Sequence, residues 1–429
     1  MTIVPFISRP APFDPIGPDW WLTSRGLGWS TMGADLRLRK FWLPSGVAGA
    51  AARWATEPEF FAQYTAAGTT RTYADSSGIL RADLAAGAPR YTWVGGVRRL
   101  ALEGTTTNLV TARKHNPIAP FAPSNGAPTF ETAQPAGTAI FTIANDSSAL
   151  AAAGLDQICT NGMVYKIDNS AGAGYAWVNF ASDTVAANTT HVYEAYIRAP
   201  SGGSIRGSAG SGTVTLAADT SYRRVNTIFA HSTAQQLRVE AGAGQVVYVI
   251  LPGVYRADYP PAYPVIGDTL SAVTRPIETF RLPHQAEALI ATGPYTALVR
   301  GRLIGTVGGA NASRVIGGGA AYGVFGVASS DPINRAAIWV GSAELRTPAR
   351  SDSPWTSGFG IGLAEDATGR SMSLNGNLAS DAWRAVTPAP HYLGRDGTGR
   401  SGDGFYDLIA IGPIRLTNAQ LQAAAVPYV

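Results

Sequence analysis

Aromatic side chains in two β-rich stretches of this chain are candidates for binding sugars. An aromatic ring can stack on the apolar C–H face of a sugar, while nearby polar groups hydrogen-bond to the sugar hydroxyls. Each of these rings could equally pack in a core, and the sequence leaves both interpretations open. The candidates are Tyr175, Trp177 and Tyr248 in the first stretch, and Trp355, Trp383 and the cation Arg395 in the second.

Paired carboxylates are the candidates for catalysis. Hydrolysis of a glycosidic bond ordinarily uses two of them, one as general acid and the other as base or nucleophile. The separation between these side chains cannot be read from the sequence, and ordinary surface carboxylates explain them equally well. We therefore predict no catalytic set and no enzymatic activity. The carboxylates in question are Glu344, Glu365, Asp366 and Asp381.

Metal and cofactor sites have little support in the sequence. Asp396, Asp403 and Asp407 lie in a glycine-rich stretch where oxygen ligands for calcium could converge, but their spacing is not that of an EF-hand. The five histidines contain no pair at i, i+4, and none has a nearby cysteine, so zinc is unsupported. The glycines of residues 308–319 are not followed by the lysine of a phosphate-binding loop. We predict neither a metal nor a cofactor.

The composition favours a β-rich protein with more than one core. A length of 429 residues suggests roughly two to three domains. With 49 glycines, 28 prolines and only 14% charged residues, short strands separated by many turns are expected. The apolar content of 45% is ample for buried cores and argues against global disorder.

Charge, cysteine content and hydropathy restrict the partners. The formal net charge of +4 is small and dispersed, so we expect no nucleic-acid partner. The single cysteine, Cys159, allows no intramolecular disulfide and is expected to be a buried thiol. No apolar run approaches the roughly 20 residues of a membrane span, so we expect no membrane insertion. Residues 1–10 lack the layout of a signal peptide, which predicts synthesis in the cytoplasm.

Apolar runs bounded by turn residues predict strands throughout residues 129–429. Turn residues such as Asn169-Ser170 and Ser201-Gly202-Gly203 divide these runs, and no long helical period intervenes. Spacings of this kind are typical of β-sandwiches and jelly rolls. We predict an all-β fold of two jelly-roll or β-sandwich domains, preceded by an irregular, aromatic-rich N-terminal anchoring arm.

Changes in composition divide the chain into four segments. Residues 1–65 hold five of the ten tryptophans and few regular elements. So small a unit rarely folds alone, so we predict an arm that docks on a partner; an ordinary subdomain packed on its own chain is the alternative. Thr56 is a possible N-cap for a short helix over residues 57–64. The remaining segments are a connecting β segment and linker (66–128), the first sandwich (129–282) and the second sandwich (283–429).

A motif near residues 72–109 resembles a known signature. Its residues are Tyr73, Asp75 and Gly78, then Pro89-Arg90-Tyr91, then Leu102-Glu103-Gly104 and Thr107-Asn108-Leu109. The pattern is similar to one in bacteriophage structural proteins, where it leads into carbohydrate-binding-type β-sandwiches on virion fibres and spikes. The resemblance implies a head spike or tail fibre protein of a bacteriophage or gene transfer agent.

Further short motifs resemble parts of two sandwich families. Residues 193–198, 222–225, 263–266 and 273–276 are similar to segments of a carbohydrate-binding-module jelly roll, with Tyr222 where that family has tryptophan. Residues 373–376 resemble the hairpin of concanavalin-like or laminin-G-like sandwiches, and residues 392–395 and 406–410 resemble two of their strands. Thr417 and Gln420 have the spacing of a capping box, which predicts a short terminal helix.

The resemblance implies a virion structural protein, a head spike or fibre, that binds a host-surface glycan such as capsule and promotes attachment. It would be made in the bacterial cytoplasm and lie on the surface of a virion or phage-like particle. Its partners would be other virion proteins at a capsid vertex or tail, reached through the N-terminal arm, and host polysaccharide. Because such proteins dock on symmetric sites, we expect a homo-oligomer. The alternatives are a capsule-degrading depolymerase and a spacer or decoration protein without a ligand.

Overall fold

The computed structural model describes most of the chain. The described residues are 17–45, 51–66, 71–110, 140–180, 190–207, 212–230, 237–266, 273–305, 313–318, 322–327, 334–340, 343–382, 389–395 and 402–428. The linker predicted at 116–128 lies outside these ranges. Within them, strands dominate and the helices are short, so the predicted all-β class is confirmed.

The strands and helices have the following bounds. The strands of the first half are β1 (Met32–Asp35), β2 (Lys40–Pro44), β3 (Ala52–Ala55), β4 (Tyr64–Ala66), β5 (Tyr73–Ala74), β6 (Leu80–Arg81), β7 (Tyr91–Val94), β8 (Val97–Leu102), β9 (Thr106–Asn108), β10 (Ile140–Asn145), β11 (Met163–Asn169), β12 (Ala176–Asn179), β13 (Thr190–Ala199), β14 (Gly203–Gly207) and β15 (Val214–Leu216). Those of the second half are β16 (Asp219–Ala230), β17 (Leu237–Ala241), β18 (Gln245–Tyr255), β19 (Val273–Arg275), β20 (Glu278–Arg281), β21 (Tyr295–Leu303), β22 (Arg314–Gly317), β23 (Tyr322–Val327), β24 (Ala336–Val340), β25 (Ala343–Arg346), β26 (Phe359–Asp366), β27 (Gly369–Leu374), β28 (Asn377–Asp381), β29 (Tyr392–Leu393) and β30 (Gly404–Gly412). The helices are α1 (Asp19–Ser24), α2 (Glu57–Phe60), α3 (Ser147–Ala152), α4 (His284–Thr292), α5 (Pro354–Ser357) and α6 (Asn418–Ala424).

The first sandwich packs a seven-stranded sheet against a four-stranded sheet. The larger sheet has the order β10-β11-β18-β13-β16, with β9 joined to β18 and β19, and the smaller has the order β12-β17-β14-β15. Alternation along each strand decides which side chains enter the core. In β17, Leu237 and Val239 point into the shared core, so Arg238 and Glu240 face outward.

The second sandwich packs a ten-stranded sheet against a seven-stranded sheet. The order β28-β27-β26-β21-β30-β1-β2-β3 is extended by β8, which pairs with β30, and by β7, which pairs with β8. The opposing sheet has the order β25-β24-β23-β22-β29-β20-β4. Phe280, Leu393 and Tyr406 are among the side chains that fill the core between the two sheets. Two sandwiches are therefore present, as predicted.

The first sandwich is an insertion in the second. The chain leaves the second sandwich after β8, enters the first through β9, returns through β19 and resumes the second at β20. The outgoing strand β9 and the returning strand β19 lie side by side as an antiparallel pair. Pairing therefore crosses the predicted boundaries at residues 66 and 283, since β4 and β20 pair within the second sandwich.

The described part of the predicted N-terminal arm is not irregular. Strand β1 pairs with β30 in the ten-stranded sheet, β2 and β3 extend that sheet, and β4 pairs with β20. A Cβ atom on Gly33 would overlap the Ile409 carbonyl oxygen and the Trp42 ring. The close approach of β1 to β30 therefore requires glycine at position 33. These residues belong to the second sandwich, because their aromatic side chains complete its core and cover its outer face. Whether this region also anchors the chain to a particle stays a prediction.

A buried charged cluster joins the two sandwiches where the chain crosses between them. Glu278 accepts hydrogen bonds from Arg90 Nε at 2.9 Å and Arg90 Nη2 at 2.5 Å, and Arg71 lies 3.6 Å away. Glu103 is bound by Arg90 at 2.5 Å and by Arg275 at 2.9 Å. All five side chains are almost fully buried. We call these residues, Arg71, Arg90, Glu103, Arg275 and Glu278, the junction cluster.

Other residues of the motif that resembles a virion signature also hold local structure. Asp75 accepts hydrogen bonds from the backbone N–H groups of Ser77 and Ile79, which shapes the turn before β6. Asn108 accepts from the N–H groups of Val110 and Val254. The motif therefore specifies the turn and the crossing between sandwiches.

Three local predictions are confirmed. Thr417 and Gln420 form a capping box at the start of α6, and Thr56 caps α2 through a second capping box, although that helix ends at Phe60 and not at residue 64. Between β27 and β28, Asn375 and Gly376 have φ values of 47° and 86°, as a two-residue hairpin turn requires.

Candidate functional site

The outer face of the four-stranded sheet carries two rows of polar and aromatic side chains, of which the second consists of Asn179, Arg238 and Arg206. Strand register places Trp177, Glu240, Ser204 and Thr215 opposite one another across all four strands. Their neighbours along the strands, Ala176, Val239 and Ile205, point into the core, so these rows face solvent. With about 4.8 Å between strands, one row spans roughly 14 Å. The row is therefore long enough to contact a ligand of several rings.

Glu240 is the fixed centre of this face. Its Oε1 accepts a 2.8 Å hydrogen bond from Arg206 Nε, and its Oε2 accepts a 3.1 Å hydrogen bond from the Ser204 hydroxyl. Arg238 lies 3.9 Å from Glu240 and donates to the Asn179 side chain at 3.3 Å. The Glu240 side chain is only 4% exposed, and its hydrogen bonds with Arg206 and Ser204 hold the carboxylate in one orientation. The polar groups of the face are therefore positioned before any ligand arrives.

Two aromatic rings border the polar rows. The Arg238 guanidinium stacks on the Trp177 ring, 4.2 Å from its centroid, and covers part of that ring. Tyr175 precedes β12 and is 63% exposed, which is unusual for a large aromatic side chain. Since Ala176 points inward between them, Tyr175 and Trp177 lie on the same side of the sheet. The exposed aromatic ring of Tyr175 therefore lies beside the row of polar side chains that contains Glu240.

Tyr175 and part of the polar rows border a shallow groove of about 400 Å³, and Trp177 lies on the same face outside its lining. One carboxylate is present among the described residues that line it, together with one guanidinium, one side-chain amide and four hydroxyl groups, of which one is the phenol of Tyr175. Such a mixture of ring, charge and hydroxyl suits a ligand rich in hydroxyl groups. The lining residues are Tyr175, Gly203, Ser204, Arg206, Thr213, Thr215, Glu240, Gly242 and Gln245.

The structure brings together two of the six predicted ligand residues, Tyr175 and Trp177. Tyr248 lies in β18 of the opposite sheet, where Arg198 stacks on its ring at 3.7 Å, so it is remote from the groove. The prediction for Trp355 is wrong: this ring is fully buried and packs on Phe359 in the core of the second sandwich.

Of the last two predicted residues, the structure describes only Arg395. Arg395 donates a 2.9 Å hydrogen bond to the Thr279 hydroxyl, and its guanidinium lies 5.5 Å from the centre of the Tyr392 ring. Both contacts are with its own sandwich, so they describe a packed side chain. Trp383 lies outside the described residues.

Sequence reasoning missed the polar half of the groove. Glu240, Arg206 and Ser204 lie on two strands that are separated by 30 residues in sequence and meet only through their register. The available signal was the alternation in β17 and β14, where polar residues at 204, 206, 238 and 240 interrupt apolar runs. That pattern identifies an outward-facing polar row, although it cannot show which rows meet.

The four carboxylates considered for catalysis all have protein partners. Asp381 binds Arg370 through two hydrogen bonds of 2.5 and 2.7 Å. Asp366 accepts from the backbone and hydroxyl of Thr368, and Glu344 pairs with Arg346 at 2.5 Å. Glu365 is buried and accepts a 3.2 Å hydrogen bond from the Tyr295 hydroxyl. Each therefore has a structural role in the second sandwich.

Glu365 should make stability depend on pH. Burial raises its pKa to about 7. The folded state then binds the proton more tightly than the unfolded state, so the free energy of unfolding falls as pH rises from about 4.5 to 7. We expect Glu365→Gln to remove about 2–3 kcal/mol of this fall, measured by denaturant unfolding across that range. Asp366→Asn is the control, because that partly exposed carboxyl has a lowered pKa. An unchanged pH profile in Glu365→Gln would contradict the assignment.

The aspartates considered for calcium also contact protein groups. Asp403 accepts a 2.7 Å hydrogen bond from the Gly104 N–H, and Asp407 pairs with Arg99 at 2.8 Å, whereas Asp396 lies outside the described residues. In the part of the chain that the structure describes, no three histidine, cysteine or acidic side chains are grouped as metal ligands. No helix within that part is long and apolar enough to cross a membrane.

Comparisons with known proteins return structures but no sequence family. No protein-family model and no curated protein matches the chain. One similar structure is the carbohydrate-binding module of the Ruminococcus gnavus IT-sialidase bound to α2,3-sialyllactose, with 13% identity over 32% of this chain and 85% of that chain, at a TM-score of 0.26.

Two further structures are similar to parts of the chain. Domain 4 of AbnA, an extracellular arabinanase of Geobacillus stearothermophilus, in complex with arabinotriose, has 15% identity over 37% of this chain and 82% of that chain, with a TM-score of 0.24. Trypanosoma rangeli sialidase in complex with sialic acid has 9% identity over 67% of this chain, with a TM-score of 0.26. The match spans about half of that enzyme, 53% of its length.

Proposed function

We propose that this protein binds a host-surface glycan in the groove of the first sandwich. The observation that carries the proposal is an exposed ring, Tyr175, beside a polar row whose central carboxylate is already fixed. The ring would stack on one sugar face, while Ser204, Thr215 and Arg206 would exchange hydrogen bonds with its hydroxyls. Because Glu240 holds Ser204 and Arg206 in place, little ordering entropy of these two side chains would oppose binding.

We propose binding without hydrolysis. A retaining or inverting mechanism needs two carboxylates on either side of the scissile bond. Among the described residues that line the groove, Glu240 alone carries a carboxylate, and Arg206 and Ser204 already engage both of its oxygens. This arrangement supports a binding protein over a depolymerase. The exposed ring supports it over a spacer without a ligand.

The proposed setting is the surface of a virion or phage-like particle, with the protein acting as a head spike or fibre that promotes host attachment. The support is the resemblance of the motif that builds the junction between the sandwiches. Other particle proteins would contact the N-terminal strands, which end the ten-stranded sheet at β3. A homo-oligomer would multiply weak glycan contacts into useful avidity.

Replacing the exposed ring should weaken glycan binding and leave folding intact. We expect Tyr175→Ala to lower affinity for a host glycan at least tenfold, about 1.4 kcal/mol, because stacking on the ring is lost. The melting temperature should stay near that of the wild type, since the side chain is largely exposed. Glycan-array screening followed by calorimetry measures both effects.

A matched control is Ile228→Ala, which removes another exposed apolar side chain from the same sandwich, in β16. Its glycan affinity should not change. Equal affinity of Tyr175→Ala and wild type would place the ligand elsewhere. Release of reducing ends from host polysaccharide would instead favour the depolymerase, and absence of binding to every host glycan would favour the spacer.

A further inference from the structure

A second surface, on the outer face of the ten-stranded sheet, gathers arginine side chains from separate parts of the chain. Arg99 lies in β8, and Arg300 and Arg302 lie in β21. Their neighbours along these two strands, Leu100, Val299 and Leu303, point into the core, so the arginines point outward. Arg37 follows β1, and Arg25 ends α1. We call these five residues, Arg25, Arg37, Arg99, Arg300 and Arg302, the arginine face. All are exposed or half-buried.

Tyr428 and Asp35 hold one half of the arginine face in place. The guanidinium groups of Arg37 and Arg300 lie 4.6 and 4.7 Å from the centre of the Tyr428 ring. The Tyr428 hydroxyl donates a 3.2 Å hydrogen bond to Asp35, and Arg300 donates to the Ala424 carbonyl at 2.9 Å. These contacts orient the planar guanidinium groups of Arg37 and Arg300.

The positive charges of the face exceed the negative charges beside them. Two carboxylates, Asp35 and Asp407, interact with these arginines among the residues that the structure describes. Arg99 pairs with Asp407 at 2.8 Å. Burial lowers the pKa of Arg99, whereas the charge of Asp407 raises it. The positive charges of Arg302 and Arg37 lower the pKa of Arg99 further. The guanidinium groups therefore repel one another, and added negative charge would relieve the repulsion.

We propose that the arginine face binds an acidic polysaccharide, carboxylated or sulfated, at a site separate from the groove. A guanidinium group forms paired hydrogen bonds with a carboxylate or sulfate, and these bonds are stronger than neutral ones. Because the arginines are spread over a sheet surface, they suit a chain of repeated anions better than a single small ion.

The same surface is poorly suited to nucleic acid. Sequence-tolerant binding of single strands needs open aromatic faces on which bases stack. Here the Tyr428 and Trp21 rings already hold guanidinium groups from Arg37, Arg300 and Arg25, and the Phe405 ring holds Arg302 at 5.5 Å. The formal net charge of +4 is also small for a nucleic-acid-binding protein of 429 residues.

Binding of the full chain to defined polymers tests the proposal. The probes are polygalacturonate, dextran sulfate, neutral dextran and duplex DNA, each titrated over a series of salt concentrations. We expect salt-sensitive binding to the two acidic polysaccharides, none to neutral dextran, and weaker binding to DNA. In Arg37→Gln/Arg302→Gln, affinity should fall about tenfold or more, and the slope of log affinity against log salt should fall by about two.

Arg223→Gln is the matched control, because it removes an arginine that is 69% exposed on the first sandwich. The proposal is overturned if neither acidic polysaccharide binds, if Arg223→Gln loses as much affinity as the double variant, or if DNA binds as tightly as the polysaccharides. Should the double variant fail to fold, Arg302→Gln alone provides the same comparison. Tyr175→Ala should retain acidic-polysaccharide binding. This variant therefore distinguishes a failure of the proposed glycan site in the groove from a failure of the proposed site on the arginine face.

Discussion

Replacing Arg90 with methionine should destabilise the protein by about 3–5 kcal/mol, because the substitution leaves two buried carboxylates without their shared partner. Arg90 binds both Glu103 and Glu278, and all three side chains are almost fully buried. Neither carboxylate can regain water without opening the contact between the sandwiches. Denaturant unfolding of the full chain measures the loss.

Two comparisons make this result specific. Arg81→Met removes an ion pair with Asp75 within the same motif, but that pair is partly exposed, so little change is expected. In Arg90→Met/Glu278→Gln, neutralising one stranded carboxylate should recover part of the loss, which makes the two substitutions non-additive. A destabilisation by Arg90→Met no greater than that by Arg81→Met would contradict a role in joining the sandwiches.

The junction cluster also predicts behaviour in acid. Burial raises the pKa of Glu103, but Arg275 and Arg90 outweigh that effect and hold the pKa at about 2, below its usual 4.5. The stabilisation linked to this ionisation is therefore present above pH 4.5 and is lost as pH falls towards 2. Because Arg90 and Arg275 keep Glu103 ionised, the junction cluster should still stabilise the fold in moderately acidic solution.

Local sequence patterns were sufficient to predict the class of fold, the turns and the caps. A hairpin turn such as Asn375-Gly376 and a capping box such as Thr417–Gln420 depend on residues a few positions apart, so the chain carries their signals locally. The insertion of one sandwich in the other depends instead on pairs such as β1 with β30, separated by more than 300 residues. No periodicity within either strand identifies such a partner.

The candidate site shows the same division. Tyr175 and Trp177 could be proposed from residue type alone, whereas Glu240, Arg206 and Ser204 become a group only when the register aligns two strands that are distant in sequence. Trp355 shows the opposite error, because aromatic type does not reveal which side of a strand or helix faces solvent. The apolar run that begins at Phe359 was the available sign in the sequence that Trp355, which packs on Phe359, lies in the core.

Removing residues 1–66 should prevent the second sandwich from folding, whereas a docking arm separate from the sandwiches could be removed without loss of folding. The deletion takes away strands β1 to β4, and with them the partner of β30 over Met32–Asp35 and the partner of β20. It also removes Phe41, Phe60 and Phe61, which pack with Phe280 in the core. A chain that begins at residue 67 should lose the cooperative thermal transition of the second sandwich, measured by near-ultraviolet circular dichroism.

A point substitution tests the same contact without truncation. Gly33→Ala places a methyl group against the Ile409 carbonyl and the Trp42 ring, and we expect it to destabilise the full chain by about 1–3 kcal/mol, as overpacking of a tight contact does. Ala62→Val is the control, since Ala62 is exposed in the same N-terminal segment. Cooperative unfolding of the truncated chain at the full-length melting temperature would instead support the hypothesis of an N-terminal arm that is separate from the second sandwich. Loss of folding in the truncated chain, with Gly33→Ala destabilised and Ala62→Val unchanged, would establish these strands as part of the second sandwich, because only integration into the sheet connects all three results.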